Sequence, residues 1–200
     1  MKSVYNFVVT PKNSRYNNTK KIGDTNFIVN TEIYNHQYTS REAIVLSLPI
    51  AIKTNIKVGD TVIVHHNVFR RWHNVKGVEK NSRSYFDEKT YIISEDQIFL
   101  YNQDNVWKPI KGYCFVKPLM SDSKFDIDKE KPLTGIVKYS DGTVNVGDLI
   151  GFRPGSKYEF IIDGQRLYRV LSNFITIKYE YQGNEKEYNP SWAQSSWGIN

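Results

Sequence analysis

Three histidines lie close together in the first half of the chain and are the residues best suited to metal binding. His65 and His66 are adjacent, and His73 follows in the same stretch. Adjacent side chains on a β-strand point to opposite faces. A zinc site needs converging ligands, so we do not expect His65 and His66 to share an ion. The sequence predicts no metal site and no cofactor.

Residues suited to other kinds of catalysis are sparse. The single cysteine, Cys114, cannot form an intrachain disulfide, and its alternating apolar surroundings are typical of a buried structural thiol. The acidic pairs Asp87-Glu88 and Glu95-Asp96 occur in turn-like contexts, where carboxylates cap backbone amides. The sequence contains no phosphate-binding loop, nucleophile elbow or zinc-protease motif. It therefore predicts that the protein is not an enzyme.

A basic and aromatic cluster follows the first two histidines. Arg70, Arg71 and Trp72 are consecutive, and they are followed by Lys76, Lys80, Arg83 and Tyr85. Basic side chains bind phosphates and aromatic side chains stack on bases, and the net charge of +6 permits such a partner. Residues 65–90 are expected to form an extended hairpin. A solvated hairpin or a contact between subunits is favoured over nucleic acid.

The elements that position these residues form an internal repeat. Ile56 to Val64 returns as Val144 to Phe152, each copy carrying a Val-Gly-Asp turn before a strand. Three more pairs of segments recur in the same order: Asn6 to Pro11 with Tyr113 to Pro118, Arg41 to Val45 with Leu133 to Val137, and Tyr91 to Ile98 with Tyr168 to Ile175. Four landmarks in one order indicate one small β unit written twice.

Composition and periodicity predict an all-β protein. Apolar and polar residues alternate in the repeated segments, whereas helical periodicity is nearly absent. Asp163-Gly164 is flanked by two such runs and predicts a two-residue hairpin turn. With 40% hydrophobic residues, the 200-residue chain suffices for two cores. We predict one unit over residues 1–102, a second over 103–180, and an aromatic tail over 181–200 that contains Trp192 and Trp197.

A long polar connection interrupts each copy, over residues 12–40 in the first and 119–132 in the second. Such long connections in a small β unit are functional or disordered. The first contains the apolar tripeptide Phe27-Ile28-Val29, which suits insertion into a groove on a partner. The alternative is an extra strand packed against its own unit.

The repeated landmarks resemble the GroES-type co-chaperonins. That family has a small β-barrel subunit with an N-terminal strand, a mobile loop, a Val-Lys-Val-Gly-Asp turn and a closing Tyr-x-(Ile/Val) segment. Both copies match this order, over about Val4 to Tyr179. The fold that the resemblance implies is two tandem GroES-like β-barrels with long mobile loops. The tandem form is similar to double-domain plastid co-chaperonins and to longer co-chaperonin-like proteins of bacteriophages, and the Asn, Lys, Ile and Tyr bias favours the phage comparison.

The resemblance implies a ring-shaped lid on a GroEL-type chaperonin, which assists ATP-dependent folding of an unfolded client protein. By position, the chaperonin-binding residues would be Phe27, Ile28 and Val29 in the first copy, and Phe125 and Ile127 in the second. Three features depart from the family pattern. The usual Gly-Gly before the tripeptide is missing, the first loop is unusually long, and the second loop is short and acidic.

Two other functions stay open at this point. A phage structural or assembly protein could keep the barrels for oligomerisation without binding a chaperonin. Nucleic-acid binding through Arg70, Arg71 and Trp72 is the third. No apolar run reaches the roughly 20 residues of a membrane-spanning helix, and the N-terminus lacks the features of a signal peptide. We therefore expect no membrane partner and a cytoplasmic location, which for a phage protein is the host cytoplasm.

Overall fold

The computed structural model describes residues 3–16, 19–22, 24–28, 39–122, 130–180 and 183–190. These residues form seventeen β-strands and two short 3-10 helices, so the predicted all-β class is confirmed. The chain divides into two compact units, Met1–Trp107 and Lys108–Asn200. Within the described ranges, no helix is long and apolar enough to cross a bilayer. Trp192 and Trp197 of the predicted tail lie outside these ranges.

A seven-stranded sheet dominates the first unit. The strands of this half of the chain are β1 (Phe7–Pro11), β2 (Thr19–Ile22), β3 (Thr25–Ile28), β4 (Glu42–Ser47), β5 (Thr61–Val64), β6 (Arg71–His73), β7 (Glu79–Asn81), β8 (Tyr85–Asp87), β9 (Thr90–Ile93), β10 (Ile98–Gln103) and β11 (Val106–Pro109). The large sheet has the order β11-β10-β5-β4-β1-β9-β8, while β2-β3 and β6-β7 form separate two-stranded sheets.

A six-stranded antiparallel sheet forms the second unit. Its strands are β12 (Tyr113–Met120), β13 (Glu130–Tyr139), β14 (Leu149–Phe152), β15 (Tyr158–Ile162), β16 (Gln165–Leu171) and β17 (Ile175–Tyr179), in the order β15-β16-β12-β13-β14-β17. The hairpin predicted at Asp163-Gly164 is confirmed, since β15 pairs with β16 across it. Both turn residues have positive φ, 50° and 69°, as the favoured two-residue hairpin turn requires.

The two large sheets repeat one topology. The first contains the order β10-β5-β4-β1-β9-β8, and the second, read from its other edge, has β17-β14-β13-β12-β16-β15. The register repeats as well. Corresponding pairs are Val9–Val45 with Val116–Val137, Val9–Tyr91 with Val116–Tyr168, and Val62–Ala43 with Ile150–Gly135. The sequence landmarks thus occupy equivalent positions in the two units.

The Val-Gly-Asp segments form equivalent turns. Gly59 has a φ of 92° and Gly147 a φ of 91°, a backbone conformation that glycine adopts at little steric cost. In each turn the aspartate side chain accepts a hydrogen bond from the backbone N–H three residues earlier, 2.7 Å long at Asp60 and 2.9 Å at Asp148. These turns deliver the chain into β5 and β14 in the same register.

Each unit buries its own apolar core in the same strands. The second core contains Val116, Val137, Ile150, Phe152, Tyr168 and Val170. The residues at the corresponding positions of the first unit are also buried: Val9, Val45, Val62, Val64, Tyr91 and Ile93. Burying one such side chain contributes about 1.5–3 kcal/mol, so alternation along each strand is sufficient to select its inward face.

Closure into barrels is not seen in the described residues. The large sheet of the first unit ends at β11 and β8, and that of the second ends at β15 and β17. The architecture that the structure gives is therefore a pair of repeated antiparallel sheets, and barrel closure stays a prediction.

Candidate docking hairpin and charged clusters

Two of the three docking residues predicted in the first copy, Phe27 and Ile28, lie on a small hairpin. Strands β2 and β3 pair antiparallel, with Lys20 opposite Phe27, and neither joins the seven-stranded sheet. Phe27 is 51% exposed, which is unusual for a phenylalanine. Ile28 ends β3. Val29 and the predicted pair of the second copy, Phe125 and Ile127, lie outside the described residues.

A short hairpin lies within residues 65–90, where the sequence predicts an extended one. Arg71–His73 pairs with Glu79–Asn81 over three residues, and Trp72 is partly exposed. Arg71 is engaged by its own unit. Its backbone N–H donates to the Tyr16 hydroxyl (2.6 Å), its guanidinium lies 5.2 Å from the Tyr16 ring, and it pairs with Glu79 at 3.5 Å. This guanidinium is thus only partly available to a partner, and nucleic-acid binding stays a prediction.

The two adjacent histidines follow strand β5 and are not part of it. Because β5 ends at Val64, His65 and His66 are not held on alternating faces, and their ring centroids are 4.2 Å apart. That geometric expectation was wrong. His65 Nδ1 accepts a hydrogen bond from the backbone N–H of Asn67 (3.1 Å). Among the described residues, no group of three or more His, Cys, Asp or Glu side chains is arranged to hold a metal ion.

A buried arginine organises a polar cluster in the first unit. The Arg15 side chain is only 9% exposed. Its Nε donates to the Phe69 carbonyl (3.3 Å) and its Nη2 to Asn81 Oδ1 (2.8 Å), while the guanidinium lies 5.5 Å from the ring of Tyr91. Nη1 is buried without a hydrogen bond and lies 3.7 Å from a carboxylate oxygen of the exposed Glu88.

The Tyr91 hydroxyl, in the same cluster, is also buried without a hydrogen bond. Burial raises the pKa of Tyr91 to about 12, although the nearby Arg15 charge opposes part of that shift. The hydroxyl therefore stays protonated near neutral pH and can donate a hydrogen bond. Among the described residues, Arg15 Nη1 and the Tyr91 hydroxyl are thus two of five buried side-chain groups of the first unit that have no hydrogen-bond partner; the others are Thr39 Oγ1, Arg70 Nε and Arg71 Nε.

A cavity of about 460 Å³ opens beside Arg15. Its lining is mostly polar and includes three basic side chains: Thr10, Pro11, Asn13, Ser14, Arg15, Arg71, Glu88 and Lys89. Three of these side chains are cations and one is a carboxylate, so the lining residues alone carry a positive excess.

The second unit has a closed ionic network at the corresponding tyrosine. Glu130, whose side chain is 10% exposed, accepts hydrogen bonds from Arg166 Nη1 (2.8 Å), the Tyr168 hydroxyl (2.8 Å) and Lys157 Nζ (3.0 Å). Arg166 Nε also donates to Glu159 (2.8 Å). Burial and then the bond to Glu130 raise the pKa of Tyr168. Here a carboxylate supplied by the chain satisfies the tyrosine and two cations.

The cysteine is buried, as predicted, and lies beside an acidic side chain. Cys114 Sγ is 3.4 Å from Ser172 Oγ, and burial raises the pKa of the thiol. Asp141 accepts hydrogen bonds from the Gly112 N–H (2.7 Å), the Thr143 N–H (3.1 Å) and the Ser172 hydroxyl (2.8 Å). A buried thiol with a raised pKa is a poor nucleophile, so this group fits a structural role.

The arginine and glutamate clusters were missed at the level of sequence. Arg15 contacts Asn81, and Glu130 contacts Arg166, and partners so distant in sequence leave no local pattern. The internal repeat gives a partial signal for these clusters, because Tyr91 and Tyr168 occupy equivalent positions and each lies near a cation. No protein-family model matches the chain, and no curated protein matches it either.

Proposed function

We propose that this chain is a co-chaperonin with two GroES-like barrels, which forms a homo-oligomeric ring, caps a GroEL-type chaperonin and assists ATP-dependent folding of client proteins. The observation that carries the proposal is Phe27, half exposed on a hairpin that is separate from the large sheet. An isolated two-stranded hairpin has little stability of its own. The β2-β3 hairpin can therefore adapt to a groove on a partner while the core sheet stays intact.

The affinity of one such contact is low, and this favours a ring. Full burial of a phenylalanine contributes about 1.5–3 kcal/mol, and Phe27 is already half buried. A micromolar complex needs about 8 kcal/mol, so one docking residue cannot supply it. Several copies acting together gain affinity through effective concentration. They also release together when the chaperonin changes conformation, because each contact depends on the same state of the partner.

Co-sedimentation of the purified chain with a bacterial chaperonin, with and without ATP, tests the proposal. Binding that depends on nucleotide and is lost in Phe27→Ser, and in the double variant Ile28→Ser, Val29→Ser, supports it. Phe86→Ser is the matched control, because Phe86 is similarly exposed (56%) and lies on β8, away from the hairpin. The proposal fails if the unaltered chain does not bind a saturating amount of chaperonin, or if Phe86→Ser is equally defective.

A structural or assembly role is the second candidate, and one strand edge favours it. Strand β17 pairs with β14 on one side only within the described residues, whereas the equivalent β10 has β11 as its second neighbour. Ile177 and Tyr179 on β17 are 49% and 40% exposed. Open edges invite pairing with another chain. Sedimentation velocity separates the candidates: an oligomer that Ile177→Lys dissociates, together with no chaperonin binding, would favour assembly alone.

A further inference from the structure

The hydroxyls of the equivalent tyrosines in the two units differ in their hydrogen bonding. In the second unit, the Glu130 carboxylate satisfies the Tyr168 hydroxyl and two cations. Among the described residues of the first unit, the Tyr91 hydroxyl and Arg15 Nη1 are buried without a hydrogen-bond partner, and Nη1 lies 3.7 Å from a Glu88 carboxylate oxygen. Buried polar groups are nearly always hydrogen-bonded, so leaving one unpaired destabilises the fold. The described side chains of the first unit therefore give Arg15 Nη1 no acceptor within hydrogen-bond distance, whereas Glu130 gives Arg166 one at 2.8 Å.

We propose that the cavity beside Arg15 binds a phosphoryl oxyanion, which supplies to the buried Arg15 Nη1 the acceptor that the Glu130 carboxylate supplies to Arg166 in the second unit. Arg15 supplies the buried donor, and Arg71 and Lys89 line the same cavity. A guanidinium presents its N–H groups in a fork that fits phosphate and carboxylate oxygens.

Charge and size favour a phosphoryl group over a single carboxylate. The lining contains three cations against Glu88, and Glu88 is 72% exposed, so it can turn away into solvent. Arg71 already pairs with Glu79 at 3.5 Å, so the charges of Arg15 and Lys89 remain, and these two match a doubly charged anion better than a singly charged one. The cavity volume of about 460 Å³ exceeds what one carboxylate fills and lies within the range of small-molecule sites. Asn13 and Thr10 add neutral side chains that can donate hydrogen bonds to further oxygens.

Isothermal titration calorimetry of the full chain with pyrophosphate and with inorganic phosphate, at constant ionic strength, tests this proposal. We expect saturable binding that weakens about tenfold or more in Arg71→Ala and Lys89→Ala, because each removes a charged donor. Lys80→Ala is the matched control, since Lys80 is an exposed cation of the same hairpin that does not line the cavity. Succinate is the carboxylate arm and is expected to bind less tightly.

A tethered carboxylate gives a second, independent test. Asn13 is exposed and lines the cavity, so Asn13→Glu can place an acceptor there, as Glu130 does in the second unit. We expect this variant to lose pyrophosphate binding and to unfold at a higher temperature than the unaltered chain. Circular dichroism checks that each variant is folded.

Three results would overturn the proposal. They are no pyrophosphate binding up to about 10 mM, an equal loss of affinity in Lys80→Ala, or succinate binding as tight as pyrophosphate. The last would mean a site for carboxylates in general. None of these results bears on chaperonin binding, which depends on a different hairpin.

Discussion

A tyrosine that occurs at the same position in both copies of the repeat has a different hydrogen-bonding environment in each. Tyr91 and Tyr168 occupy equivalent positions opposite Val9 and Val116. The Tyr168 hydroxyl donates to Glu130 at 2.8 Å, whereas the Tyr91 hydroxyl is buried without a hydrogen bond. The same side chain thus fills the same space in each core while its hydroxyl contributes differently to stability.

Removing the two hydroxyls should have different effects. Tyr168→Phe is expected to lower the free energy of unfolding by about 1–3 kcal/mol, because Glu130 loses a donor in a buried network. Tyr91→Phe should leave that free energy unchanged or raise it by up to about 1 kcal/mol in buffer without phosphate, since no bond is lost. Urea unfolding of both variants measures the difference. Equal destabilisation by the two substitutions would contradict it.

Asp141 should make the stability of the second unit depend on acid pH. Burial alone would raise the pKa of this carboxyl, but hydrogen bonds from Thr143, Gly112 and Ser172 outweigh burial and lower it. The folded state therefore favours the ionised form. The stabilisation is complete above the unfolded pKa of about 3.9 and is lost as the pH falls through the lowered folded pKa.

Asp141→Asn tests this dependence. At pH 7 the variant should be less stable by about 1–2 kcal/mol, since an amide cannot accept on both atoms. As the pH falls below about 4 the gap between the two proteins should narrow, and it should close only below the lowered folded pKa, where the wild-type carboxyl is protonated in both states. Urea unfolding at pH 7 and pH 3 measures both gaps, with the exposed Asp104→Asn as control. A gap that stays constant between these pH values would contradict the assignment.

At the scale of strands and turns, the repeated landmarks predicted much of the structure. The Val-Gly-Asp turns, the Asp163-Gly164 hairpin and the all-β class depend on short-range patterns, and all are present. The register of corresponding strands follows from alternation, because a shift of one residue would turn every buried side chain outward. What the sequence does not encode locally is pairing across long separations, as between Arg15 and Asn81. The expectation that His65 and His66 lie on opposite faces of a strand was wrong because β5 ends at Val64, before both residues.

One glycine of the repeat is required by close packing between strands. Gly135 on β13 pairs with Pro118, and a Cβ placed there would lie 2.8 Å from the Lys117 carbonyl oxygen and 3.0 Å from a Val116 methyl. The equivalent residue of the first unit is Ala43, which is fully buried opposite Pro11. The two sheets therefore differ in spacing at this point, although their registers agree.

Gly135→Ala should accordingly destabilise the second unit by about 1–3 kcal/mol, because the added methyl meets backbone that cannot move freely. Thermal unfolding followed by circular dichroism measures the loss. Ala43→Gly is the reciprocal exchange, and it should cost about 1 kcal/mol through added flexibility of the unfolded chain and a lost buried methyl. A Gly135→Ala protein as stable as the parent would show that β12 and β13 separate to admit the methyl.

For the whole molecule, the repeat gives two cores that are complete within their own units. The six corresponding core positions are buried in each, and the large sheets share no strand. Domains that have their own core and sheet can unfold as separate cooperative units. Separate unfolding of the two units would suit the proposed lid, because the β2-β3 docking hairpin could change conformation while both cores stay folded.

A core lesion in one unit should therefore leave the other protected. Ile93→Ala in the first unit and Ile150→Ala in the second each remove buried methyl groups, at a cost of about 2–5 kcal/mol. Hydrogen exchange read by mass spectrometry at increasing urea should show early loss of protection only in the altered unit, because backbone amides exchange when their own sheet opens. If either substitution lowered protection equally in both halves, the chain would unfold as one cooperative body. The two cores would then depend on each other for stability, and a ring assembled from such chains would respond to damage in either unit as a whole.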